Sequence, residues 1–162
     1  MLALHNTLSR RVEPVCPLQA GRVTMYSCGP TVYRPVHIGN LRSFLLSDLI
    51  RRALAWEGIA VHQVMNITDV GHMTDEVHDR GEDKMLLAAA DEGLSAAEVA
   101  AKYEAAFHRD VARMGIVPAE AYPRASEHID RMIELIGRLR VAFWAEALAP
   151  KLPWRRRARM LR

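Results

Sequence analysis

The stretch RVTMYSCGPTVYRPVHIGNLRSFLLSDLIRRALAWEG, residues 22–58, decides the fold. Its first seven residues, RVTMYSC (22–28), alternate β-forming side chains and run into a Gly-Pro turn, which predicts a strand. From Asn40 to Gly58 apolar residues recur at helical spacing, with the asparagine placed to cap the helix and the glycine to stop it. A second strand pattern, IAVHQVMN (59–66), follows at once. Strand, helix and strand predict a βαβ unit in a parallel sheet, and therefore the α/β class.

Three helical patterns follow a long acidic loop, ITDVGHMTDEVHDRGED. They are EDKMLLAAADEG (82–93), SAAEVAAKYEAAFHRDVARMG (95–115) and SEHIDRMIELIGRL (126–139). In the second, Ser95 and Glu98 have the spacing of a capping box. The third carries an apolar stripe that we expect to be buried in the core, and its members are Ile129, Met132, Ile133, Ile136 and Leu139.

The composition, with 162 residues of which 50% are hydrophobic and 25% charged, is typical of one globular domain. No segment approaches the ~20 consecutive apolar residues of a membrane helix, and the N-terminus lacks the apolar part of a secretory signal. We therefore expect a cytoplasmic protein.

The two cysteines, Cys16 and Cys28, form no CxxC pair. This argues against a disulfide framework and a self-contained zinc knuckle, so any thiol role belongs to a single residue.

The net charge of +3 is a property of the C-terminal tail. Residues 141–162 carry six Lys or Arg against one Glu, a local charge of +5, which leaves −2 for the first 140 residues. Beyond Arg140 no helical or strand period is sustained. We therefore predict a domain at 1–140 and a divergent basic tail outside the fold, which we interpret as out-of-frame sequence ending a truncated gene. The alternative for the tail is a nucleic-acid patch, with arginines for phosphate and Trp154 for stacking.

The corner between the first strand and the helix has the chemistry of a phosphate site. The carboxyl edge of a parallel sheet is where α/β proteins bind ligands, and the free N–H groups of a helix N-terminus suit phosphate oxygens. His37 precedes the helix, Gly39 leaves room for a nucleotide, and the Asn40 amide is a second donor. Together they would stabilise charge developing on a triphosphate. On the four residues from His37 to Asn40 alone, a structural corner with an incidental histidine remains open.

Cys28, at the end of the same strand, has two interpretations. Free cysteine is common in packed positions, so a structural role stays open. Because this cysteine would lie at the same sheet edge as His37, its thiolate is also a candidate zinc ligand, although no further ligand follows at zinc spacing. A second candidate metal cluster in the acidic loop is weaker, since exposed loops collect such residues freely; it comprises His72, Asp75, Glu76, His78 and Asp79. We expect His62 and His108 to be surface or packed side chains, and Asp69 to brace the loop.

Four blocks in order, MYSCGPTVYRPVHIGNLRSFLLSDLIRRAL, VMNITDVGHMTDE, RGEDKM and YPRASEHIDRMIELI, resemble the N-terminal part of the cysteinyl-tRNA synthetases, which are class I aminoacyl-tRNA synthetases. The resemblance runs from about residue 3 to 140. It implies the N-terminal part of a Rossmann-like nucleotide-binding fold with appended helices. It also implies activation of cysteine with ATP to cysteinyl-adenylate, followed by transfer to tRNA(Cys).

The same resemblance implies roles for individual residues. His37 to Asn40 would be the class I signature, with His37 and Asn40 catalytic and magnesium on the ATP phosphates. Cys28 would be one of four zinc ligands, the metal binding the substrate thiolate and so excluding serine. The residues implied to bind the adenylate are Gly29, Thr31, Gly39, Ser43, Asn66, Ile67 and Thr68.

Features of the family that have no counterpart in these 162 residues are the other three zinc ligands, the Lys-Met-Ser-Lys-Ser loop and the anticodon-binding helices. Activity of this chain alone is therefore a separate question. The alternatives are a related ligase that joins cysteine to an amino-sugar inositol, a small nucleotidyltransferase, and an inactive remnant that binds tRNA or a synthetase as an adaptor.

Overall fold

The computed structural model describes residues 2–70, 73–75 and 80–148, with the backbone alone at 73–75, 80–83 and 141–148. The chain forms two compact units, one ending at Ser126 and the other beginning at Glu127. The elements in chain order are β1 (Ala3–Asn6), β2 (Arg11–Pro14), β3 (Arg22–Ser27), α1 (Ile38–Trp56), β4 (Ala60–Met65), β5 (Met73–Asp75), β6 (Arg80–Asp83), α2 (Lys84–Glu92), α3 (Ala96–Arg113), a short 3₁₀ helix (Ala125–His128) and α4 (Ile129–Leu148).

The predicted βαβ unit is confirmed. Strands β3 and β4 pair in parallel, from Arg22 opposite Ala60 to Ser27 opposite Met65, and α1 connects them. Gly58 follows α1 with φ +76°, a conformation that glycine adopts without steric cost, and the chain then turns directly into β4. The α/β class is therefore confirmed, and the carboxyl ends of both strands lie at one edge of the sheet.

A further extended segment, residues 119–125, lies parallel to β4 and is absent from the sequence prediction. The Met65 N–H donates to the Ala121 carbonyl at 3.0 Å, and the Ile67 N–H donates to the Pro123 carbonyl at 2.9 Å. The segment is also held by side chains, because the Arg124 guanidinium makes two bonds of 2.8 and 3.0 Å to the buried carboxylate of Glu104 on α3. Ion pairs of this bidentate form fix geometry as well as distance.

Two antiparallel hairpins, β1–β2 and β5–β6, were also not predicted. Their strands are short, at three or four residues, so the period-2 signal has little length over which to emerge. The side chains of β1 and β2 are almost all exposed. No helix among the described residues is long and apolar enough to cross a membrane.

The core of the first unit lies between the βαβ unit and the α2–α3 pair. Phe44 of α1 meets Phe107 of α3 edge to face, with ring centroids 5.2 Å apart. The predicted capping box of α3 is confirmed, with the Ser95 hydroxyl accepting from the Glu98 N–H. The buried hydrophobic residues of this cluster are Val32, Phe44, Met65, Ile67, Met85, Ala89, Val99, Ala100, Phe107, Val111 and Ile116.

The expectation that the α4 stripe is buried is wrong. Its five predicted members, Ile129 to Leu139, are between 42 and 62% exposed. The helix also continues past Arg140 to Leu148, eight residues into the segment that sequence periodicity left unassigned. Residues 149–162 of the predicted tail lie outside the described residues. The apolar period of α4 identifies a face of the helix without identifying what covers it.

Candidate functional site

A cavity of about 340 Å³ opens beside the turn that follows β3. It brings together five of the residues singled out from the sequence: Cys28, Gly29 and Thr31 from the turn, and Asn40 and Ser43 from the first turns of α1. The remaining lining residues are Pro30, Tyr33, Arg34, Pro35, Val36 and Phe44. The cavity therefore lies where a strand ends and a helix begins, the position at which α/β sheets bind ligands.

The side chain of Asn66, just past β4, organises the floor of this corner. Its Oδ1 accepts from the Gly29 N–H and from the Tyr26 hydroxyl, each at 3.0 Å, while its Nδ2 donates to the Thr68 hydroxyl at 3.0 Å. One half-buried amide thus joins the ends of both strands. It fixes the backbone immediately next to Cys28.

Gly29 is required at this point by close packing. A Cβ built on it would lie 1.7 Å from the Asn66 carbonyl oxygen and 2.9 Å from Cγ of Met65. Contacts below 3.0 Å force the backbone to move. The glycine therefore allows the turn after β3 to rest directly on the residue after β4.

His37 is the N-cap of α1, which begins two residues earlier than predicted. Its Nδ1 accepts from the Gly39 N–H at 3.1 Å, and the Asn40 Oδ1 accepts from the His37 N–H at 3.2 Å. The expectation that Asn40 caps the helix is therefore corrected, since Asn40 is the third helical residue of a reciprocal capping box. With Nδ1 used as an acceptor, the neutral imidazole carries its proton on Nε2, and that N–H is the ring's donor.

The missing side chain of Gly39 leaves room for this cap. A Cβ there would lie 2.9 Å from Cε1 of His37. The backbone at Gly39 therefore lies directly against the His37 ring. Gly39 and His37 do not line the cavity, although Asn40 and Ser43 of the same helical turns do.

Ile67 and Thr68 contribute backbone and packing rather than cavity surface. The Ile67 side chain is fully buried in the core. Thr68 pairs with the turn after β3, because its N–H donates to the Pro30 carbonyl and its carbonyl accepts from the Val32 N–H, both at 3.0 Å. These bonds hold the cavity wall against the end of β4.

The sequence is similar to that of a known protein family. Residues 14–148 match the model of the family described as tRNA synthetases class I (C) catalytic domain. The chain belongs to this family. It is 46% identical over 138 residues to a cysteine–tRNA ligase of Treponema denticola, 47% over 138 residues to cysteine–tRNA ligase 1 of Burkholderia lata, and 46% over 135 residues to a cysteine–tRNA ligase of Thermosynechococcus vestitus.

These alignments cover 83 to 85% of the chain but only 26 to 29% of each relative. The chain therefore spans little more than a quarter of the length of the curated relatives it matches. The family predicted from the four sequence blocks is confirmed, and the class I synthetase fold with it.

The zinc that the synthetase family implies does not fit the described residues. Cys28 is exposed, and its thiol contacts its neighbour's carbonyl, the Gly29 O, at 3.7 Å. The cavity lining contains no other Cys and no His, Asp or Glu. Across the described part of the chain, no group of three or more such residues could hold a metal ion. The weaker metal cluster predicted in the acidic loop lies outside the residues whose side chains are described.

His108 and Asp69 both make contacts that stabilise the fold. The His108 ring packs 5.1 Å from the Phe107 ring and 4.7 Å from that of Tyr122, as expected for a packed histidine. Asp69 accepts from the Ser126 N–H at 2.9 Å and also from its hydroxyl. Asp69 therefore braces the segment leading out of the sheet at residue 126.

Sequence reasoning missed Tyr26, Tyr33 and Arg34 as residues of this candidate site. Tyr26 anchors Asn66, and the other two line the cavity. The Arg34 guanidinium lies 5.1 Å from the centroid of the Tyr33 ring. The available signal was an arginine beside an aromatic residue in the turn before the signature histidine, which composition alone does not distinguish from an ordinary turn.

Proposed function

We propose that this chain is the ATP- and cysteine-binding part of a cysteine–tRNA ligase that acts in the cytoplasm. The reaction is attack of the cysteine carboxylate on the α-phosphorus of ATP, which releases pyrophosphate, and then transfer of the cysteinyl group to tRNA(Cys). The cavity after β3, bordered by Asn40 and Ser43 at the start of α1, is the observation that carries the proposal. The names of the relatives favour this ligase over the related amino-sugar ligase.

The proposed roles follow the local geometry. We assign to the Nε2–H of His37 and to the Asn40 amide the donation of hydrogen bonds to phosphate oxygens as charge develops on them. Magnesium, when bound with ATP, would supply the counter-charge of the phosphates. The amide of Asn40 shares this role with its capping bond to the His37 N–H. Both groups are positioned by the same helical turn, so they act without reorganisation.

The remaining proposed residues shape the pocket for the adenylate. Ser43 and Thr31 line the cavity, and Asn66 holds Gly29 in place. Gly39, Ile67 and Thr68 support the backbone around them. Cys28 offers one thiol at the cavity wall. We assign no step to zinc, because among the described residues no group of three or more candidate ligands lies together.

The domain boundary remains part of the proposal. We propose that residues 1–140 contain the partial nucleotide-binding domain and that the basic tail, 141–162, lies outside it. The family match reaches residue 148, and α4 ends at Leu148. Both therefore extend eight residues past the proposed boundary.

Binding of a non-hydrolysable cysteinyl-adenylate analogue, cysteinyl-sulfamoyl-adenosine, tests the proposal on the full chain by calorimetry. We expect measurable binding that falls at least tenfold in Asn66→Ala, because the corner loses its support. The matched control is Asn6→Ala in the β1–β2 hairpin, which removes an exposed Asn6–Glu13 bond far along the sequence from the corner. Failure of the unaltered chain to bind the analogue contradicts the proposal.

Cysteine-dependent ATP–pyrophosphate exchange then separates the active enzyme from the inactive adaptor. Exchange that disappears in His37→Ala supports the ligase reaction within this chain. Salt-sensitive tRNA binding by a chain that neither binds the analogue nor catalyses exchange favours the adaptor.

A further inference from the structure

Helix α4 is exposed on all sides over the part whose side chains are described. Every residue from Ile129 to Arg140 is exposed, on the apolar and the polar side alike. A helix in a protein owes most of its stability to the packing of its apolar face, and Gly137 lowers the intrinsic helix propensity of this one. Within the described residues, the apolar side of α4 therefore lacks the packing that would stabilise it.

The apolar residues of α4 form one continuous face. At about 100° per residue they cover about 160° of the helix circumference. Four of them follow one another at intervals of three, four and three residues, which is the spacing of a seam between two packed helices. The six residues of this α4 face are between 42 and 62% exposed, and they are Ile129, Met132, Ile133, Leu135, Ile136 and Leu139.

The α4 face is large enough for a weak but specific interface. With roughly 200 Å² for each side chain and about half of it exposed, the six side chains leave about 600 Å² uncovered, the upper end of what monomeric proteins expose. Two such faces packed together would bury about 1,200 Å², the lower end of specific protein–protein interfaces. An interface of this size favours a dissociation constant of about 10 to 100 µM.

Charge is divided along the helix in a way that favours one orientation of two copies. Residues 127–134 carry three acids and one arginine, a charge of −2, whereas residues 135–140 carry two arginines, a charge of +2. Two parallel copies would bring like charges together, but two antiparallel copies bring each acidic half to the basic half of the other. The seam spacing is the same in both directions, so Ile129 of one copy would lie opposite Leu139 of the other, and Met132 opposite Ile136.

The last residues of the chain match the α4 face less well than a second copy does. Residues 149–162 carry six Lys or Arg and no acid, and Pro150 and Pro153 interrupt any helical period in their first half. Such a sequence offers neither a sustained apolar stripe nor negative charge for Arg138 and Arg140. A second α4 offers both.

We propose that α4 is a self-association surface, on which a second copy of this chain packs its own α4 in the antiparallel direction. Arg140 lies at the edge of the α4 face, and in this arrangement it meets the acidic half of the other helix. Because the interface is small, monomers with an exposed α4 predominate at low micromolar concentration, and dimers form above it. The proposal rests on α4 alone and is independent of the ATP site.

Sedimentation equilibrium of the full chain between about 1 and 200 µM tests the proposal. We expect a monomer–dimer equilibrium. Ile136→Glu should weaken dimerisation at least tenfold, and Ile136→Ala, which retains a good helix former, should weaken it several-fold. The matched control is Leu8→Glu, an apolar-to-acid change at a residue that is 94% exposed in the turn between β1 and β2, and it should change nothing.

Arg140→Glu tests the direction of the two helices. In an antiparallel pair the new carboxylate meets the acidic half of the other copy, so dimerisation should weaken several-fold at low salt and much less at high salt. In a parallel pair residue 140 would face itself, and the reversal would exchange one like-charged pair for another. Arg109→Glu, the same reversal at an exposed position on α3, is the matched control.

Three results would overturn the proposal. They are a chain that stays monomeric at the highest concentration, a dimer that Ile136→Glu leaves unchanged, and an assembly larger than the closed pair that a twofold contact forms. Dimerisation that responds equally to Arg140→Glu and Arg109→Glu overturns the antiparallel direction. Circular dichroism of each variant confirms that a loss of dimer is not a loss of folded chain.

Discussion

Helices α1 and α4 both carry apolar residues at helical spacing, but α1 buries Phe44 and Leu54, whereas all five residues of the predicted α4 stripe are exposed. Leu54 of α1 is 1% exposed, whereas Leu139 of α4 is 59% exposed. Helix α1 is enclosed between β4 and the α2–α3 pair, through Phe44 and its contact with Phe107. The difference teaches that a helical period specifies a face, while burial depends on residues distant in sequence that the period does not reveal.

The largest expected effect compares the same substitution in the two helices. Leu54→Ala should lower the free energy of unfolding by about 2 to 5 kcal/mol, because it removes a fully buried side chain and leaves a cavity. Leu139→Ala should change it by less than about 0.5 kcal/mol, as surface substitutions do. Urea unfolding followed by circular dichroism measures both. A large loss in Leu139→Ala would show that the α4 stripe is covered in solution.

A second matched pair concerns glycine. Gly29→Ala should cost about 3 kcal/mol, since its Cβ would overlap the Asn66 carbonyl oxygen at 1.7 Å. Gly137→Ala, in the middle of α4, meets nothing within 4 Å and should stabilise the helix by about 0.5 to 1 kcal/mol. Thermal unfolding of the two variants would then shift in opposite directions. Shifts of the same sign contradict the packing described at the corner.

Much of the α1 region could be predicted from sequence because its signals are local. The alternation of β3, the stop at Gly58 and the capping box of α3 each depend on residues a few positions apart. The start of α1 was misplaced because both His37 and Asn40 have side chains that cap, and the sequence does not rank them.

Features that depend on distant residues were not predicted. The segment 119–125 pairs with β4 across more than fifty residues, and its own residues, including Pro123, show no strand period. The network centred on Asn66 likewise joins residues 26, 29 and 66, which are neighbours only after β3 and β4 have paired. The candidate site was found through its motif residues, and its support through Tyr26 was missed for this reason.

A smaller effect separates the two functions of the Asn66 amide. Asn66→Ala leaves the Gly29 N–H and the Tyr26 hydroxyl without their acceptor and should cost about 2 kcal/mol. Asn66→Asp keeps the acceptor oxygen and loses only the donor to Thr68, so it should cost about half as much. Urea midpoints measure both. Equal losses would assign the stabilisation to the Thr68 bond instead of the corner.

The smallest expected effect is a pH dependence in the segment that the sequence did not predict. Glu120 accepts from the Gln63 N–H at 2.6 Å and from the Arg51 guanidinium. Burial raises the pKa of Glu120, but hydrogen bonds, the one from the Gln63 N–H first among them, and the charge of Arg51 outweigh it, so the pKa lies below its ordinary value of 4.5.

A carboxyl group whose pKa is lowered by folding stabilises the folded state fully above its unfolded pKa, and loses this contribution as the pH falls through the folded value. The stability difference between the unaltered chain and Glu120→Gln should therefore be constant from pH 7 to about 5 and shrink below about 4.5. Urea midpoints measured between pH 3 and 7 give this difference directly. Glu134→Gln on α4, where the carboxylate pairs with the exposed Arg131 at 3.1 Å, is the matched control and should show little difference at any pH. A difference that persists unchanged at pH 3 would mean that the Glu120 contacts act through packing and not through charge, and that α4 and the 119–125 segment differ in burial alone.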